Sequence, residues 1–320
     1  MKKIQLASLF IAAAFTVRAG SLFPVVVDGN WGYINESGTT VARPQYADAS
    51  SFSENLGAVE LDKRWGYVDT AGKIVINPQF DKAGRFHEGL AAVEFGNVYG
   101  YVTDAGKYVI NPQFDNAKEF SGGLAAVKVD KRWGFVDSKG KFVINPQFDD
   151  AYPFSSGLAA VTVGKTSGFI DKSGKLVINP QFDDVRSFSE SDKLAAIKLN
   201  KQWGFIDKSG KIVINPQFDN VGEFVDGLAP ARIAKRWGFI DTTGHFVVNP
   251  QFDDAASFSG GLARVELSKR WGFVDKSGVF AINPQFDDAL DFDSGLARVK
   301  MGRLTGYVDT NGKYVFNPTK

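Results

Sequence analysis

The chain has 320 residues, of which 44% are apolar, and its 37 basic residues nearly balance its 36 acidic residues. Such a composition is that of a folded protein, and the small net charge gives no electrostatic basis for binding nucleic acid or an anionic membrane surface. Because the sequence contains no cysteine, disulfides are excluded and packing must supply the stability of the fold.

The N-terminus has the composition of a secretory signal peptide. Lys2 and Lys3 precede a mostly apolar run of 14 residues at 4–17, and small residues follow at Ala19 and Gly20. The run is shorter than the roughly 20 residues that span a bilayer as a helix, although an uncleaved anchor is the alternative. We therefore predict a signal peptide at 1–19, export to the periplasm or the extracellular medium, and no integral membrane segment in the mature chain.

The remainder of the chain is a ninefold repeat. A Trp-Gly pair, or a replacement of its Trp, recurs every 34 residues, with one interval of 36 residues between Ser167 and Trp203. A period this regular is the signature of a repeat architecture. The two additional residues fall in 189–193, where we expect an exposed loop. We predict one repeat array over 20–320, with units that start near residues 22, 56, 90, 124, 158, 194, 228, 262 and 296.

Each unit is predicted to contain three short strands, as the unit at 124–157 illustrates. β-Branched and aromatic residues fill 124–129, 133–137 and 141–145, and Gly, Asp and Asn-Pro bound these runs. The stretch from Asp137 to Gly140 is typical of a hairpin turn in which the glycine takes the left-handed conformation. The segment that follows is interpreted as a return loop with one helical turn that begins at Asp149.

Aromatic residues recur at fixed places in the unit and form the predicted core. In each unit, one aromatic residue stands two residues after the Trp position, from Tyr33 in the first unit to Tyr307 in the last. The repeat also has a pair of aromatic residues six residues apart, such as Phe148 and Phe154. Propellers commonly have four to eight blades of four strands, whereas this chain has nine whole units and no unit divided between its termini. We therefore predict an all-β, open or superhelical solenoid-like stack of nine three-stranded units; a closed propeller-like ring is the alternative.

The repeated motifs resemble those of a known family. Trp-Gly-Phe-Val-Asp, Gly-Lys, Val-Ile-Asn-Pro-Gln-Phe-Asp and Gly-Leu-Ala-Ala-Val together resemble the bacterial WG repeats, also called KWG repeats. The resemblance covers residues 22–318, and the chain departs from the pattern where Tyr99, Ser167 and Thr305 replace Trp. It implies a β-rich repeat scaffold in a bacterial protein, often exported, that mediates interactions.

The tryptophans are candidate binding residues, because a column of rings could serve as platforms for the sugars of an envelope glycan. Core packing is the interpretation that we favour, since a Trp buries roughly 150–250 Å². Replacement by Ser167 and Thr305 indicates a peripheral column that the next unit half covers. The candidates are Trp31, Trp65, Trp133, Trp203, Trp237 and Trp271.

A Lys-Arg pair precedes four of these tryptophans. Stacked units would align the pairs as a basic stripe, which could bind an acidic partner or could be a solvated turn. The candidate binding residues of this stripe are Arg64, Arg132, Arg236 and Arg270.

The sequence offers no catalytic constellation. Its two histidines, His87 and His245, occupy different positions of the repeat. The repeated aspartates are expected to cap turns, because calcium needs six to eight oxygen ligands from a more densely acidic loop. We predict no enzymatic activity, no cofactor and no metal site.

Taken with the predicted signal peptide, these features predict an exported, monomeric, non-enzymatic binding or scaffold protein. We expect it to mediate protein–protein interactions at the bacterial envelope. A carbohydrate-binding module that uses the Trp ladder on an envelope glycan is the alternative.

Overall fold

The computed structural model describes residues 21–319, so the predicted signal peptide at 1–19 lies outside the described residues. These residues form nine antiparallel sheets, numbered here as blades 1 to 9 in chain order. Blade 1 contains β1 (Phe23–Val27), β2 (Asn30–Ile34) and β3 (Thr40–Tyr46).

The other eight blades have four strands each. Blades 2 to 5 consist of β4 (Asp48–Ala49), β5 (Leu56–Leu61), β6 (Arg64–Asp69) and β7 (Ile74–Phe80); β8 (Lys82–His87), β9 (Leu90–Phe95), β10 (Val98–Thr103) and β11 (Tyr108–Phe114); β12 (Asn116–Ser121), β13 (Leu124–Val129), β14 (Arg132–Asp137) and β15 (Phe142–Phe148); and β16 (Asp150–Ala151), β17 (Ala159–Val163), β18 (Thr166–Ile170) and β19 (Leu176–Phe182). Blades 6 to 9 consist of β20 (Asp184–Phe188), β21 (Ala195–Leu199), β22 (Gln202–Ile206) and β23 (Ile212–Phe218); β24 (Asn220–Val221), β25 (Leu228–Ile233), β26 (Arg236–Asp241) and β27 (Phe246–Phe252); β28 (Asp254–Ala255), β29 (Ala263–Leu267), β30 (Arg270–Val274) and β31 (Phe280–Phe286); and β32 (Asp288–Ala289), β33 (Leu296–Met301), β34 (Leu304–Asp309) and β35 (Tyr314–Thr319).

The nine blades close into a β-propeller. Phe23, Val25 and Ile34 of blade 1 share one buried cluster with Leu296 and Tyr307 of blade 9. The prediction of an open stack is therefore wrong, and its alternative, a closed ring, is confirmed. That prediction counted three strands per unit, nine units and the lack of a shared blade against closure, whereas side-chain packing between blades 9 and 1 closes this ring.

In the eight four-stranded blades, the segment that was predicted to be a return loop supplies an additional strand, which is the first strand of the blade. Residues 150–151 form β16, which pairs with the next unit through Ala151 and Val161. The helical turn predicted at Asp149 is wrong, and eight of the sheets have four strands where three were predicted. The first strands of blades 3 and 4, β8 and β12, contact each other, as expected if first strands lie nearest the central axis of a propeller. Among residues 21–319, blade 1 has no such first strand.

The predicted Asp-x-x-Gly hairpin is confirmed in the turn between β14 and β15. Gly140 has a φ of 80°, and its amide donates a hydrogen bond of 2.9 Å to the carbonyl oxygen of Asp137. The Asp137 carboxylate accepts from the amides of Lys139 and Lys141 at 2.9 and 3.0 Å. In the equivalent turn of blade 5, the Ser173 hydroxyl also donates to Asp171 and lowers the pKa of that carboxyl group. The repeated aspartate therefore caps its own turn, as expected.

The aromatic columns form the core between neighbouring blades, as predicted. Phe135 of blade 4 and Phe154 of blade 5 are both buried, with ring centroids 5.0 Å apart. Phe148 is also buried and belongs to the same cluster. Each blade thus covers the apolar face of the next, which supplies the packing that a chain without disulfides needs.

Because the strands of a blade alternate in direction, its turns divide between two faces of the ring. The connector face carries the turns between second and third strands and the connectors between blades. The hairpin face carries the Asp-x-x-Gly turns and the turns between first and second strands. The insertion at 189–193 lies on the hairpin face, where Glu190 and Ser191 are exposed, as predicted, whereas Ser189 is buried.

Candidate functional site

Each tryptophan lies in the strand that follows a connector-face turn, at the junction between two blades. Trp133, Trp203 and Trp237 are buried, with exposed fractions of 6%, 6% and 7%. Trp31 and Trp65 are half-buried, as is Trp271. The column therefore divides into three core side chains and three that keep part of the ring open. A role as a binding platform stays a prediction, and half of the column has the exposed ring surface that it needs.

Basic side chains lie over five of the six Trp rings. Opposite Trp133 in the neighbouring strand is Lys128, and its Nζ is 5.8 Å from the ring centroid. Lys118, on the first strand, approaches the same ring to 4.8 Å. The remaining cations are Arg186 and Lys198 over Trp203, Arg232 over Trp237, Arg264 over Trp271 and Arg298 over Trp31. Such contacts contribute about 0.5–2 kcal/mol each. The cations also occupy ring surface on which a sugar would stack. Trp65 is the exception, because no cation of the described chain lies over its ring.

The three units that lack Trp fill its place differently. At Tyr99, Lys82 lies 2.7 Å from Glu94, and their hydrogen bond lowers the pKa of that carboxyl group. At Ser167, the buried hydroxyl lies 2.9 Å from the hydroxyl oxygen of Thr162 on the opposite strand. At Thr305, a cavity of about 300 Å³ opens beside Trp31 at the junction of blades 9 and 1.

The four candidate arginines are held in ion pairs. Arg132 Nη1 lies 2.5 Å from Asp149 Oδ1, and Arg64, Arg236 and Arg270 make the same contact with the aspartate 17 residues further along the chain. The second oxygen of Asp149 accepts a hydrogen bond of 2.6 Å from the amide of Gly164 in the next connector-face turn. The aspartate thus joins two blades, and the arginine is part of that junction. The sequence carries this pairing as a fixed spacing of 17 residues between Arg and Asp.

The residue before each of these arginines is unpaired and exposed. Seven of the nine connector-face turns carry a cation at this position, and none of the seven side chains forms an ion pair or hydrogen bond within residues 21–319: Lys63, Lys131, Lys165, Lys201, Lys235, Lys269 and Arg303. We call these seven residues the cation ring. The candidate list from the sequence omitted them, because their arginine neighbours had the same charge and nothing showed which cation the aspartate would neutralise.

Groups that could support metal or acid–base chemistry are sparse in the part of the chain that the structure describes. No cluster of three or more His, Asp or Glu side chains there could hold a metal ion. His87 lies 3.7 Å from Glu119, and His245 Nδ1 lies 2.7 Å from the hydroxyl of Thr243. These two histidines lie in different blades.

The hydrophobic segments of the described chain are strands. No helix within residues 21–319 is long and apolar enough to cross a membrane.

Comparison with known families identifies the repeat. The family described as "WG containing repeat" matches residues 31–65, 65–99, 99–133, 133–166, 168–203, 203–236, 237–270 and 271–304. A comparison with curated proteins finds no similar sequence.

Solved structures resemble the chain in fold at low sequence identity. The crystal structure of a eukaryotic initiation factor has 11% identity and a TM-score of 0.67, with 93% of this chain and 96% of that chain covered. Kluyveromyces lactis Hsv2p has 10% identity and a TM-score of 0.45, with coverage of 71% and 91%. The extracellular domain of a one-component system from B. thetaiotaomicron has 11% identity and a TM-score of 0.40, with coverage of 91% and 51%. The likeness to the initiation factor concerns the propeller fold alone.

Proposed function

Because the chain belongs to the family of WG-containing repeat proteins, we propose that it is a non-enzymatic binding protein whose connector face captures an acidic partner protein at the bacterial envelope. One observation carries the proposal: the cation ring places seven exposed, unpaired cations at the tips of turns around one face of a closed ring. Unpaired surface cations in such an arrangement attract an acidic surface and increase the rate of its association.

The neutralised arginines strengthen this proposal. Asp149 already pairs with Arg132, and the equivalent aspartates pair with Arg64, Arg236 and Arg270. A partner carboxylate would have to displace those aspartates in order to reach the arginines. The cation ring requires no such exchange, so its lysines are the residues that an acidic partner would contact first.

A capture experiment with matched charge variants tests the proposal. The full chain is immobilised and exposed to envelope extract, in parallel with the variant K63Q/K131Q/K201Q/K235Q and the hairpin-face variant K73Q/K141Q/K175Q/K211Q. We expect one acidic protein to bind wild type and the hairpin-face variant, and to bind the connector-face variant at least about tenfold more weakly. Raising the salt concentration to about 0.5 M should release it, because salt screens exposed charges. Equal loss in both variants, or retention by the connector-face variant, would contradict the proposal.

Export and a monomeric state complete the proposal, and both rest on the sequence. The charged and apolar residues at 2–17 predict passage across the inner membrane. Fractionation of cells that express the full chain should place it in the periplasm or the medium, with the mass of a monomer in light scattering. Recovery from the cytoplasm of cells with an intact export pathway would contradict this part.

A glycan partner is the alternative, and the ring of Trp65 favours it because that ring is partly exposed and no cation of residues 21–319 lies over it. Titration with envelope glycan fragments should then quench tryptophan fluorescence in wild type and less in Trp65→Phe. The buried Trp237→Phe is the matched control and should respond as wild type does. Quenching that is equal in all three proteins would contradict a Trp65 platform.

A further inference from the structure

The junction between blades 9 and 1 contains a cavity in which charge is unbalanced. It has a volume of about 300 Å³, and its lining includes Trp31, Asp288, Arg298, Lys300, Arg303 and Thr305. Three of these side chains are cations and one is an anion. The cavity lies where Thr305 replaces the Trp that fills the equivalent place in most other units.

An internal comparison shows what one of these cations lacks. Arg264 occupies the same repeat position one blade earlier, and its guanidinium lies 5.0 Å from the centroid of Trp271. Its Nε donates a hydrogen bond of 2.7 Å to the carboxylate of Asp291, and its Nη1 donates one of 2.7 Å to the carbonyl oxygen of Ala289. In blade 8, therefore, the arginine is stacked on a Trp and bound to a carboxylate from the neighbouring blade.

Arg298 stacks on a Trp of the next blade, whereas Arg264 stacks on the Trp of its own blade, and Arg298 has no carboxylate partner among residues 21–319. Its guanidinium lies 5.7 Å from the centroid of Trp31, across the junction from blade 9 to blade 1. Within residues 21–319, no hydrogen bond or ion pair joins Arg298 to another side chain or to the backbone. Arg298 is half-buried as a residue, so its side chain loses part of its hydration while no carboxylate among residues 21–319 binds it in return. The blade 8 arrangement indicates that the missing group is a carboxylate.

We propose that this cavity binds a small organic carboxylate of about the size of a hexuronic acid. The carboxylate takes the place that Asp291 has beside Arg264, where a guanidinium and a carboxylate can form two parallel hydrogen bonds. Lys300 and Arg303 add positive potential around it, and the exposed part of the Trp31 ring packs against the C–H face of the sugar. The volume is at the lower end of small-molecule sites, which limits the ligand to about one sugar ring.

This inference goes beyond the proposed capture of a protein and does not depend on it. The quadruple connector-face variant changes Lys63, Lys131, Lys201 and Lys235, which are not among the residues that line the cavity. Failure of either proposal therefore leaves the other intact.

Calorimetric titration of the full chain with glucuronate, glucose and acetate tests the inference. Glucuronate should bind in an enthalpically detectable, saturable manner, glucose should not bind at the same concentrations, and acetate should bind at least about tenfold more weakly because it lacks the ring. Glucuronate should also quench tryptophan fluorescence. Equal binding of glucose and glucuronate, or no binding of glucuronate, would overturn the proposal.

Three variants locate the site. Arg298→Gln should weaken glucuronate binding at least about tenfold, because a charged hydrogen-bonding partner is lost. Thr305→Trp should abolish binding by filling the cavity while it keeps every charge, and its thermal unfolding temperature should not fall. Lys211→Gln removes an exposed charge from the hairpin face of blade 6 and should bind glucuronate as wild type does. Unchanged binding in both Arg298→Gln and Thr305→Trp would show that the ligand binds elsewhere.

Discussion

The hydroxyl of Tyr307 in blade 9 donates a hydrogen bond of 2.7 Å to the carbonyl oxygen of Pro24 in blade 1. At the junction of blades 1 and 2, the hydroxyl of Tyr33 lies 3.3 Å from the carbonyl oxygen of Ala58, which is the equivalent of Pro24, and it donates a shorter hydrogen bond of 2.8 Å to the carbonyl oxygen of Ser50. The Tyr307 ring also packs edge-to-face on Phe23, with centroids 5.6 Å apart. The junction that closes the ring thus keeps an edge-to-face aromatic pair and a tyrosine hydrogen bond to the next blade, with Phe23 in the role that Phe52 has at the junction of blades 1 and 2. No blade has to be shared between the termini.

Tyr307→Phe should weaken the closure of the ring. Phe occupies this position in five other blades, so the ring itself fits, and the buried carbonyl of Pro24 loses its donor. We expect the free energy of unfolding to fall by about 1–2 kcal/mol, measured by urea denaturation. Hydrogen exchange of the amides in β1 should become faster.

Tyr67→Phe is the matched control for this prediction. Its hydroxyl donates a hydrogen bond of 2.8 Å to the carbonyl oxygen of Gly84 at an internal junction. The Tyr67→Phe variant should lose a similar amount of unfolding free energy, and the hydrogen exchange of its β1 amides should be the same as in wild type. A Tyr307→Phe variant whose β1 amides exchange as slowly as those of wild type would show that this hydrogen bond does not hold the ring closed.

Asp149→Asn should destabilise the junction between blades 4 and 5. The substitution removes the ion pair with Arg132 and weakens the bond from the amide of Gly164. Both partners are partly exposed, so we expect a loss of about 0.5–1.5 kcal/mol in urea denaturation, which should shrink as salt is added. Asp115→Asn is the control, because the Asp115 carboxylate has no ion pair or side-chain hydrogen bond within the described residues, and its effect should stay within about 0.5 kcal/mol. Equal losses in the two variants would argue against a joining role for Asp149.

Patterns within one unit were predictable from the sequence, whereas relations between units were not. The hairpin at Asp137 and Gly140 was predictable, because its turn chemistry is local. The strand at 150–151 was not, since an Asp-Ala pair has weak β-propensity and becomes a strand only by pairing with the next unit. The glycine that follows each Trp position is a second example of a relation that the sequence does not reveal. A Cβ on Gly134 would lie 2.5 Å from the carbonyl oxygen of Ile144, so the two strands approach too closely for any other residue.

The candidate site was predictable in position and misjudged in detail. Its location beside the connector-face turns followed from the Lys-Arg pairs that precede the tryptophans. Which cation is free depends on the reach of Asp149 to Arg132, a contact between the start of one strand and the end of the next. Ser167 and Thr305 suggested that the whole column is peripheral, yet Trp133 is buried and Ser167 is buried as well.

Trp133→Ala should be strongly destabilising, and Trp65→Ala less so. Trp133 is 6% exposed, packs in a cluster with Phe154 and carries Lys118 over its ring, so its removal leaves a cavity between two blades. We expect a loss of about 3–5 kcal/mol for Trp133→Ala in urea denaturation. Trp65 is half-buried, so Trp65→Ala should lower the free energy of unfolding by about half as much, because part of the Trp65 ring is already in water. A larger loss at Trp65 than at Trp133 would contradict this division of the column.

Glu190 should make the junction between blades 5 and 6 sensitive to acid. Its carboxylate accepts hydrogen bonds from the Ser155 hydroxyl at 2.8 Å and from the Ser156 amide at 2.5 Å, and these bonds lower its pKa to about 2. Since the folded-state pKa lies below the ordinary value of about 4.5 for a glutamate, the stabilisation is fully present above about pH 4.5 and is lost as the pH falls through about 2.

Glu190→Gln should therefore lower the free energy of unfolding near neutral pH and have little effect near pH 2. The side chain is largely exposed, so the expected difference is about 0.5–1 kcal/mol at pH 7, measured by urea denaturation over a pH series. Glu223→Gln makes the same chemical change at a carboxylate without a hydrogen-bond partner in the described chain, and should show no such pH dependence. A Glu190→Gln effect that is equally large at pH 7 and pH 2 would mean that the ionised carboxylate does not hold the two blades together, because only its charged form accepts both hydrogen bonds.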